Sequence, residues 1–216
     1  MLYSFLRSFF WALTHIVCRY QVRGRDRVPV TGSLLIVANH PSWYDPMLLG
    51  VVSPRRVWFF AKSELFRWPL IGLLCRITGQ VPVHRGESDR AALEKGLGYL
   101  KEERAVVVFP EGRVERGGRM MLAHTGVAML AIRSGATVLP VANIGTRPVL
   151  RSLRHWFPRV CVEIGEPFVP TLPDGVPRKV GLQMLTQEIM ARIAEMLPPE
   201  QQGVYMKTAS VKLAGD

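Results

Sequence analysis

His40 and Asp45 are the residues best placed to carry out chemistry, and they follow a short apolar run at residues 34–38. That run is too short for a core helix and is typical of a strand buried on both faces. Pro41 favours extended backbone at His40, so we expect the histidine on a turn and Asp45 one turn into the next helix. There the carboxylate can accept a hydrogen bond from one ring nitrogen. The pattern predicts a histidine general base at the carboxyl end of a strand, where α/β sheets place their ligand sites.

A second pair, His84 and Asp89, has the same spacing. No proline-initiated turn follows His84, and its neighbours are polar. We interpret this segment as a surface or substrate-facing stretch and expect His84 not to be the base.

Two further predicted strands also end in polar residues. One is followed by Arg85, and the other by Glu111, Gly112 and Arg113. The guanidinium group presents a planar fork of donors that suits phosphate, and glycine lets the backbone approach a ligand closely. If the strands are parallel, all of these residues reach the same sheet edge as His40.

Apolar runs and helical patterns alternate along the chain. Strands are predicted at 34–38, 57–61, 80–83, 105–109, 137–142 and 159–164, and helices at 64–77, 89–101, 125–133 and 179–196. Alternation of this kind predicts an α/β fold in one domain, with a largely parallel central sheet and helices on both faces.

The N-terminal stretch, residues 1–20, is predicted to be an amphipathic helix. Its apolar face contains Leu2, Phe5, Phe9, Leu13, Ile16 and Tyr20. Arg7 and His15 interrupt the apolar run too early for a membrane span, and a basic segment follows, with Arg19, Arg23, Arg25 and Arg27. We expect an interfacial anchor, with packing on the domain as the alternative. The predicted organisation is a membrane-associating helix and basic segment at 1–28, a domain at 29–200 with a motif core at 33–145, and a tail at 201–216.

The composition limits the classes of binding partner that we expect. A formal net charge of +11 and a pI near 10.2 call for a polyanion, either nucleic acid or an anionic membrane surface. The sequence has no signature of a nucleic-acid-binding fold, so we expect no nucleic acid. Its 3 cysteines lack the spacing of a zinc site, and we expect no metal. The motifs of a nucleophilic serine, a nucleotide phosphate loop and a dinucleotide fold are missing too.

Four segments together resemble the phospholipid/glycerol acyltransferase family. Its first motif, N-H-x-S-x-x-D, matches residues 39–45, and its third, F-P-E-G, matches residues 109–112. A glycine, strand and arginine at 79–85 and an apolar V-x-P-V strand at 138–141 look like the second and fourth motifs. All four occur in the family's order, which is far more specific than any one of them.

The resemblance implies that His40, oriented by Asp45, deprotonates a lipid hydroxyl that attacks an acyl thioester, without a covalent intermediate. Arg85, Glu111, Gly112 and Arg113 would bind the glycerol phosphate. The co-substrate would be acyl-CoA or acyl carrier protein, with no cofactor. The expected place is the cytoplasmic membrane face, peripheral or monotopic. The default acceptor is 1-acyl-sn-glycerol-3-phosphate, which gives phosphatidic acid.

Two departures from the family pattern keep the acceptor open. Arg113 follows Gly112 directly, and Val114 occupies the usual arginine position. A basic residue common before a later glycine is replaced by residues 124–126, H-T-G. Another lysophospholipid or a glycolipid is therefore an alternative acceptor, and a non-catalytic lipid-phosphate-binding protein is an alternative function.

Overall fold

The structure is a computed structural model that describes residues 2–83, 90–115, 117–147, 149 and 157–206. Its centre is a seven-stranded sheet with the order β1-β7-β6-β2-β5-β3-β4. The strands are β1 Arg19–Arg23, β2 Leu34–Ala38, β3 Val57–Lys62, β4 Val81–Val83, β5 Ala105–Val108, β6 Thr137–Ile144 and β7 Arg159–Ile164. The helices are α1 Leu2–Val17, α2 Asp45–Val52, α3 Pro69–Thr78, α4 Arg90–Lys101, α5 Gly126–Ser134 and α6 Arg178–Glu195.

The strands from β6 to β4 are mutually parallel, which confirms the predicted fold class. β2 is the central strand of the sheet and lies between β5 and β6, with Leu34 opposite both Ala105 and Thr137. Every residue of β2 is buried, as its unbroken apolar sequence predicts for a strand covered on both sides. The carboxyl ends of β2, β5 and β6 therefore meet at one edge of the sheet.

Two hydrophobic cores, one on each face of the sheet, fix this architecture. On one face α4, α5 and α6 pack against side chains such as Leu35 and Val106. On the other face α2 packs against the alternate residues, among them Ile36 and Val107. The period of two along each strand sends neighbouring side chains to opposite cores.

The N-terminal region differs from the prediction. The helix ends at Val17 instead of reaching residue 20, and Arg19–Arg23 forms the edge strand β1. β1 pairs in parallel with β7, and β7 runs antiparallel to β6. Alternating exposed and half-buried residues mark β1, but its arginines conceal the period from a search for apolar residues.

Two arginines of the predicted basic segment form ion pairs within the domain. Arg23 contacts Glu163 at 3.7 Å, and Arg27 contacts Glu166 at 2.9 Å. Arg27 also donates a hydrogen bond to the carbonyl of Ile164 at 2.9 Å. These side chains are thus partly engaged in attaching the start of the chain to β7 and the turn that follows it.

No helix among the described residues is both long enough and apolar enough to cross a lipid bilayer.

Candidate active site

The turn after β2 brings His40 and Asp45 together. His40 Nδ1 lies 2.9 Å from Asp45 Oδ2, which is the predicted hydrogen bond. The backbone N–H of Ser42 donates to the same oxygen at 2.8 Å and closes the turn. Asp45 is the first residue of α2, instead of lying one turn into it, because the chain needs residues 41–44 to reverse direction. The carboxylate thus meets the ring from the helix N-terminus, where negative charge is favoured.

Burial dominates the electrostatics of this pair. Asp45 is fully buried and His40 is 8% exposed. Burial raises the pKa of Asp45, whereas the hydrogen bond and the charge of His40 act in the opposite direction. A carboxylate only accepts hydrogen bonds, so the imidazole carries its proton on Nδ1 when neutral. The second nitrogen, Nε2, forms no hydrogen bond within the part of the chain that the structure describes, and its lone pair is available as a base.

The buried hydroxyl of Thr146 lies near the Asp45 carboxylate. It favours the ionised form and so opposes the rise in the pKa of Asp45 that burial causes. Neither Asp45 Oδ1 nor Thr146 Oγ1 reaches hydrogen-bond geometry with any described residue. Buried polar atoms of this kind are normally satisfied, so a small movement or a bridging water would pair them.

The His40 ring stacks on Phe109. The ring centroids lie 4.0 Å apart with an angle of 16° between the planes. Phe109 directly follows β5, so the neighbouring strand supplies a flat apolar surface for the imidazole. The stack limits rotation about the histidine side-chain bonds and keeps Nε2 in one direction.

Glu111, from the end of β5, binds the backbone of the turn that contains His40. Its Oε1 accepts the His40 N–H at 3.2 Å, and its Oε2 accepts the Met121 N–H at 3.2 Å. Burial raises its pKa to about 7, against the lowering effect of these two N–H groups. The carboxyl group thereby joins three segments of chain at one point. This geometry favours positioning of His40 over the contact with the glycerol phosphate that the family resemblance implies.

A buried pair of asparagines joins the ends of β2 and β6. The Asn39 side chain accepts the Asn143 N–H at 2.7 Å and donates to the Asn143 carbonyl at 3.1 Å. The Asn143 side chain donates to the Asn39 carbonyl at 2.9 Å. Each neutral hydrogen bond contributes about 1 kcal/mol net, and breaking one here would also leave a buried group unpaired. The residue just before His40 is therefore fixed to the sheet.

The residues predicted to bind the acceptor are less buried than His40 and Asp45. Gly112 is exposed and has a φ of 69°, and a Cβ there would lie 3.3 Å from the His124 ring. Arg113 is also exposed, and its Nε donates to the Met121 sulfur at 3.4 Å. Arg85 lies outside the described residues, as does His84. The structure thus places His40, Asp45 and Glu111 in one hydrogen-bonded group, with Gly112 and Arg113 on the adjoining surface.

Several positioning residues escaped the sequence analysis. Phe109 lies in the F-P-E-G motif, yet its ring contact with His40 depends on strand pairing. Thr146 carries no local signal of its role. Asn143 had a detectable signal, because a polar residue in the apolar run V-A-N-I breaks the pattern of a buried strand.

The helix α1 also contacts this turn. The Tyr44 hydroxyl, buried between α1 and α2, forms a short hydrogen bond with the Thr14 hydroxyl. Thr14 in turn donates to the Phe10 carbonyl at 2.6 Å, so Tyr44 is the donor in the shared bond. Burial raises the pKa of Tyr44 to about 12, which keeps its proton in place.

Comparison with known proteins assigns the family. A family model described as Acyltransferase matches residues 19–144, which include β1, the catalytic turn and the end of β6. The chain belongs to the acyltransferase family.

Relatives of this chain carry two kinds of name. A lyso-ornithine lipid O-acyltransferase from Pseudomonas aeruginosa is 36% identical over 124 residues, or 57% of this chain and 47% of its own length. A 1-acyl-sn-glycerol-3-phosphate acyltransferase from Bacillus subtilis is 25% identical over 177 residues, or 82% of this chain and 87% of its own length. The chain therefore spans about half the length of the first relative.

The fold of this chain also matches a solved structure. The crystal structure of the 1-acyl-sn-glycerophosphate (LPA) acyltransferase PlsC from Thermotoga maritima superimposes with a TM-score of 0.69. The match covers 99% of this chain and 80% of that one, at 24% sequence identity. It supports the seven-stranded architecture that carries the His40 turn.

Proposed function

We propose that this protein transfers a fatty acyl group from acyl-CoA or acyl carrier protein to a free hydroxyl of a lysolipid, by default a lysophospholipid. The observation that carries the proposal is the buried contact of 2.9 Å between His40 and Asp45, with Nε2 forming no hydrogen bond to the described residues. In a chain of the acyltransferase family, this arrangement is suited to removing a proton from a hydroxyl.

In the proposed reaction His40 Nε2 takes the proton of the acceptor hydroxyl as its oxygen attacks the thioester carbonyl carbon. Asp45 stabilises the imidazolium that forms. The bond between carbon and sulfur then breaks, and the leaving thiolate takes the proton from His40. The products are the acylated lipid and a free thiol, and the histidine is regenerated without a covalent acyl-enzyme.

General base catalysis of this kind contributes roughly a hundredfold to ten-thousandfold in rate. The rest depends on placing the acceptor hydroxyl near Nε2. Arg113, and Arg85 from the sequence alone, would bind the charged headgroup, while Glu111 and Phe109 keep the base in position. No metal or cofactor enters this scheme.

The acceptor has two candidates. The default is 1-acyl-sn-glycerol-3-phosphate, as in the name of the Bacillus subtilis relative. The name of the Pseudomonas aeruginosa relative, 36% identical, favours a lyso-ornithine lipid as the second. An ornithine headgroup has an ammonium and a carboxylate in place of phosphate, so it needs less positive charge. Val114, at the position where the family commonly has arginine, agrees with this second candidate.

The first test is release of free thiol from palmitoyl-CoA by the purified protein, with each acceptor in turn and His40→Ala as the control. Release that requires an acceptor and is lost in the variant supports the proposal, and the faster acceptor identifies the substrate. Acceptor binding without turnover, with either thioester donor, would instead indicate a lipid-binding protein.

We further propose that α1 attaches the protein to an anionic membrane surface on the cytoplasmic side, where the thioester donors occur. Phe5 is 67% exposed, Phe9 54% and Ile16 68%, and they share one face of the helix. Replacing Phe5 and Phe9 by serine should release the protein from vesicles that contain phosphatidylglycerol. Unchanged binding would contradict a role for this face of α1.

A further inference from the structure

The helix α3 turns its apolar side away from the protein. Gly72 and Cys75 are its buried residues. On the opposite side Leu70 is 71% exposed and Leu73 51%, and Ile71, next to the buried side, is 37% exposed. A surface helix of a globular domain normally has the reverse arrangement, with its apolar stripe on the core. Adjacent exposed leucines on one helix indicate a surface that meets another apolar medium.

The segment that carries these residues is closely packed. The chain turns just before α3, and the Gly72 N–H donates to the Trp68 carbonyl at 2.6 Å. A Cβ at Gly72 would lie 2.3 Å from the Phe66 carbonyl oxygen, so only glycine allows this approach. Trp68, at the tip of the turn, is 61% exposed. Leu70, Ile71 and Leu73, which we call the apolar row, therefore lie on a closely packed segment of the chain.

The charges around the row are positive except for Glu64, which precedes Arg67 in the chain and pairs with Lys62 at 2.7 Å. Arg67 and Arg76 lie at its two ends and are exposed, and residues 65–78 contain no acidic residue. Arginine and tryptophan at the border of an apolar row match the boundary between lipid headgroups and acyl chains. Long cationic side chains can reach phosphates there while the leucines enter the apolar layer.

The helices α1 and α3 also contact each other. α3 follows β3, which ends at the same sheet edge as β2. We propose that α3 is a second membrane-contacting element, and that Trp68, Leu70 and Leu73 enter the headgroup boundary of an anionic bilayer beside α1. The two helices would then rest on the bilayer together and bring the His40 edge close to lipid acceptors.

A second copy of the chain fits this surface less well. A symmetric dimer through α3 would place the same patch on both partners. The apolar rows could meet, but Arg67 and Arg76 would have no acidic residue of the patch to face. An anionic bilayer supplies the opposite charge along the whole border.

The test compares two double variants of the full chain. Leu70→Ser with Leu73→Ser removes the proposed contact, and Val180→Ser with Met184→Ser is the matched control. Val180 and Met184 are 41% and 47% exposed on α6, which packs on the other face of the sheet. Binding to phosphatidylcholine vesicles that contain phosphatidylglycerol is measured by sedimentation, and circular dichroism checks the fold. We expect the α3 variant to lose roughly tenfold to a hundredfold in partition coefficient, and the control to match the wild type.

A second measurement does not require the protein to fold with the serine substitutions. Lipids brominated along their acyl chains should quench less of the total tryptophan fluorescence in Trp68→Phe than in the wild type. Equal partitioning of the α3 variant and the wild type would overturn the proposal. So would a lipid-free dimer that the α3 substitutions dissociate. Neither measurement uses a substrate, so failure of the transfer reaction and failure of this inference are distinguishable.

Discussion

The ends of β2 and β5 lie side by side and present their polar residues differently. At the end of β2, His40 and Asp45 are buried and joined to each other and to the backbone of Ser42. At the end of β5 the polar side chains point in two directions. Glu111 turns inward to the His40 backbone, while Arg113 points to the surface.

The difference corresponds to two tasks. A proton transfer requires a donor and an acceptor within hydrogen-bond distance, and small displacements are costly. Binding a charged headgroup needs an accessible cation and tolerates movement of a long side chain. The fold encloses His40, the proposed base, and leaves Arg113, the proposed headgroup cation, in solvent, so substitutions at the two strand ends should have different effects.

The largest effect is expected at the enclosed end. His40→Ala removes the base, and we predict a loss of kcat of a hundredfold to ten-thousandfold. The comparison is His84→Ala, at the second histidine with an aspartate five residues later, which should change acceptor affinity at most. Equal losses of kcat in the two variants would show that the base is wrongly assigned.

Glu111→Gln tests the support beneath the base. The amide places an NH₂ group opposite one of two backbone N–H donors, so one hydrogen bond is lost and His40 shifts. We predict that kcat falls roughly tenfold to a hundredfold with little change in KM. A rise in KM alone would instead assign Glu111 to acceptor binding.

Glu111→Gln should also change how the unfolding free energy depends on pH. The pKa of Glu111 is raised to about 7, so the folded state binds its proton more tightly than the unfolded state. The stabilisation of the folded state by this tighter proton binding is complete below the unfolded pKa, near 4.5. It is lost as pH rises through about 7. The unfolding free energy of the wild type relative to Glu111→Gln should fall between these limits by on the order of 3 kcal/mol. Urea unfolding at several pH values would measure the difference, and a pH-independent difference would contradict it.

Thr146→Val tests the unpaired oxygen of Asp45. The substitution keeps the shape of the side chain and removes the hydroxyl that favours ionised Asp45. We predict a loss of kcat of about three- to tenfold and a shift in the acid limb of the pH–rate profile, with recovery in Thr146→Ser. If valine and serine behave alike, the hydroxyl has no part in orienting the pair.

The smallest effect is expected at the exposed end. Arg113→Gln should raise KM for a phosphate-bearing acceptor by about threefold to tenfold and leave kcat nearly unchanged, because the side chain is solvated. The effect should shrink at high salt. Arg133→Gln is the control, since Arg133 forms its ion pair with Glu94. A large loss of kcat in Arg113→Gln would remove the distinction between the two strand ends.

Much of this organisation follows from local sequence. β2 and β5 are unbroken apolar runs, and the pairing of His40 with Asp45 required only a strand, a proline turn and a helix. β1 could not be identified in this way, since an edge strand with exposed arginines lacks the apolar signal and is defined by its pairing with β7.

The contacts of the residues that support His40 could not be predicted from the sequence, for a related reason. Glu111 was found as a motif residue, but its two backbone partners lie 71 and 10 positions away. The bonds between Asn39 and Asn143 span 104 positions. Contacts over such separations depend on the order of the strands in the sheet, which a period of two or of 3.6 residues does not specify.

The hydrogen bond between Thr14 and Tyr44 gives the N-terminal helix a mechanical role. Tyr44 directly precedes Asp45, so any force that lifts or tilts α1 acts on the residue beside the catalytic carboxylate. A bilayer that pulls on the exposed side of α1 would load this bond and, through it, the turn that contains His40. If α1 rests on a bilayer as proposed, lateral pressure in the lipid layer would reach the turn that contains His40.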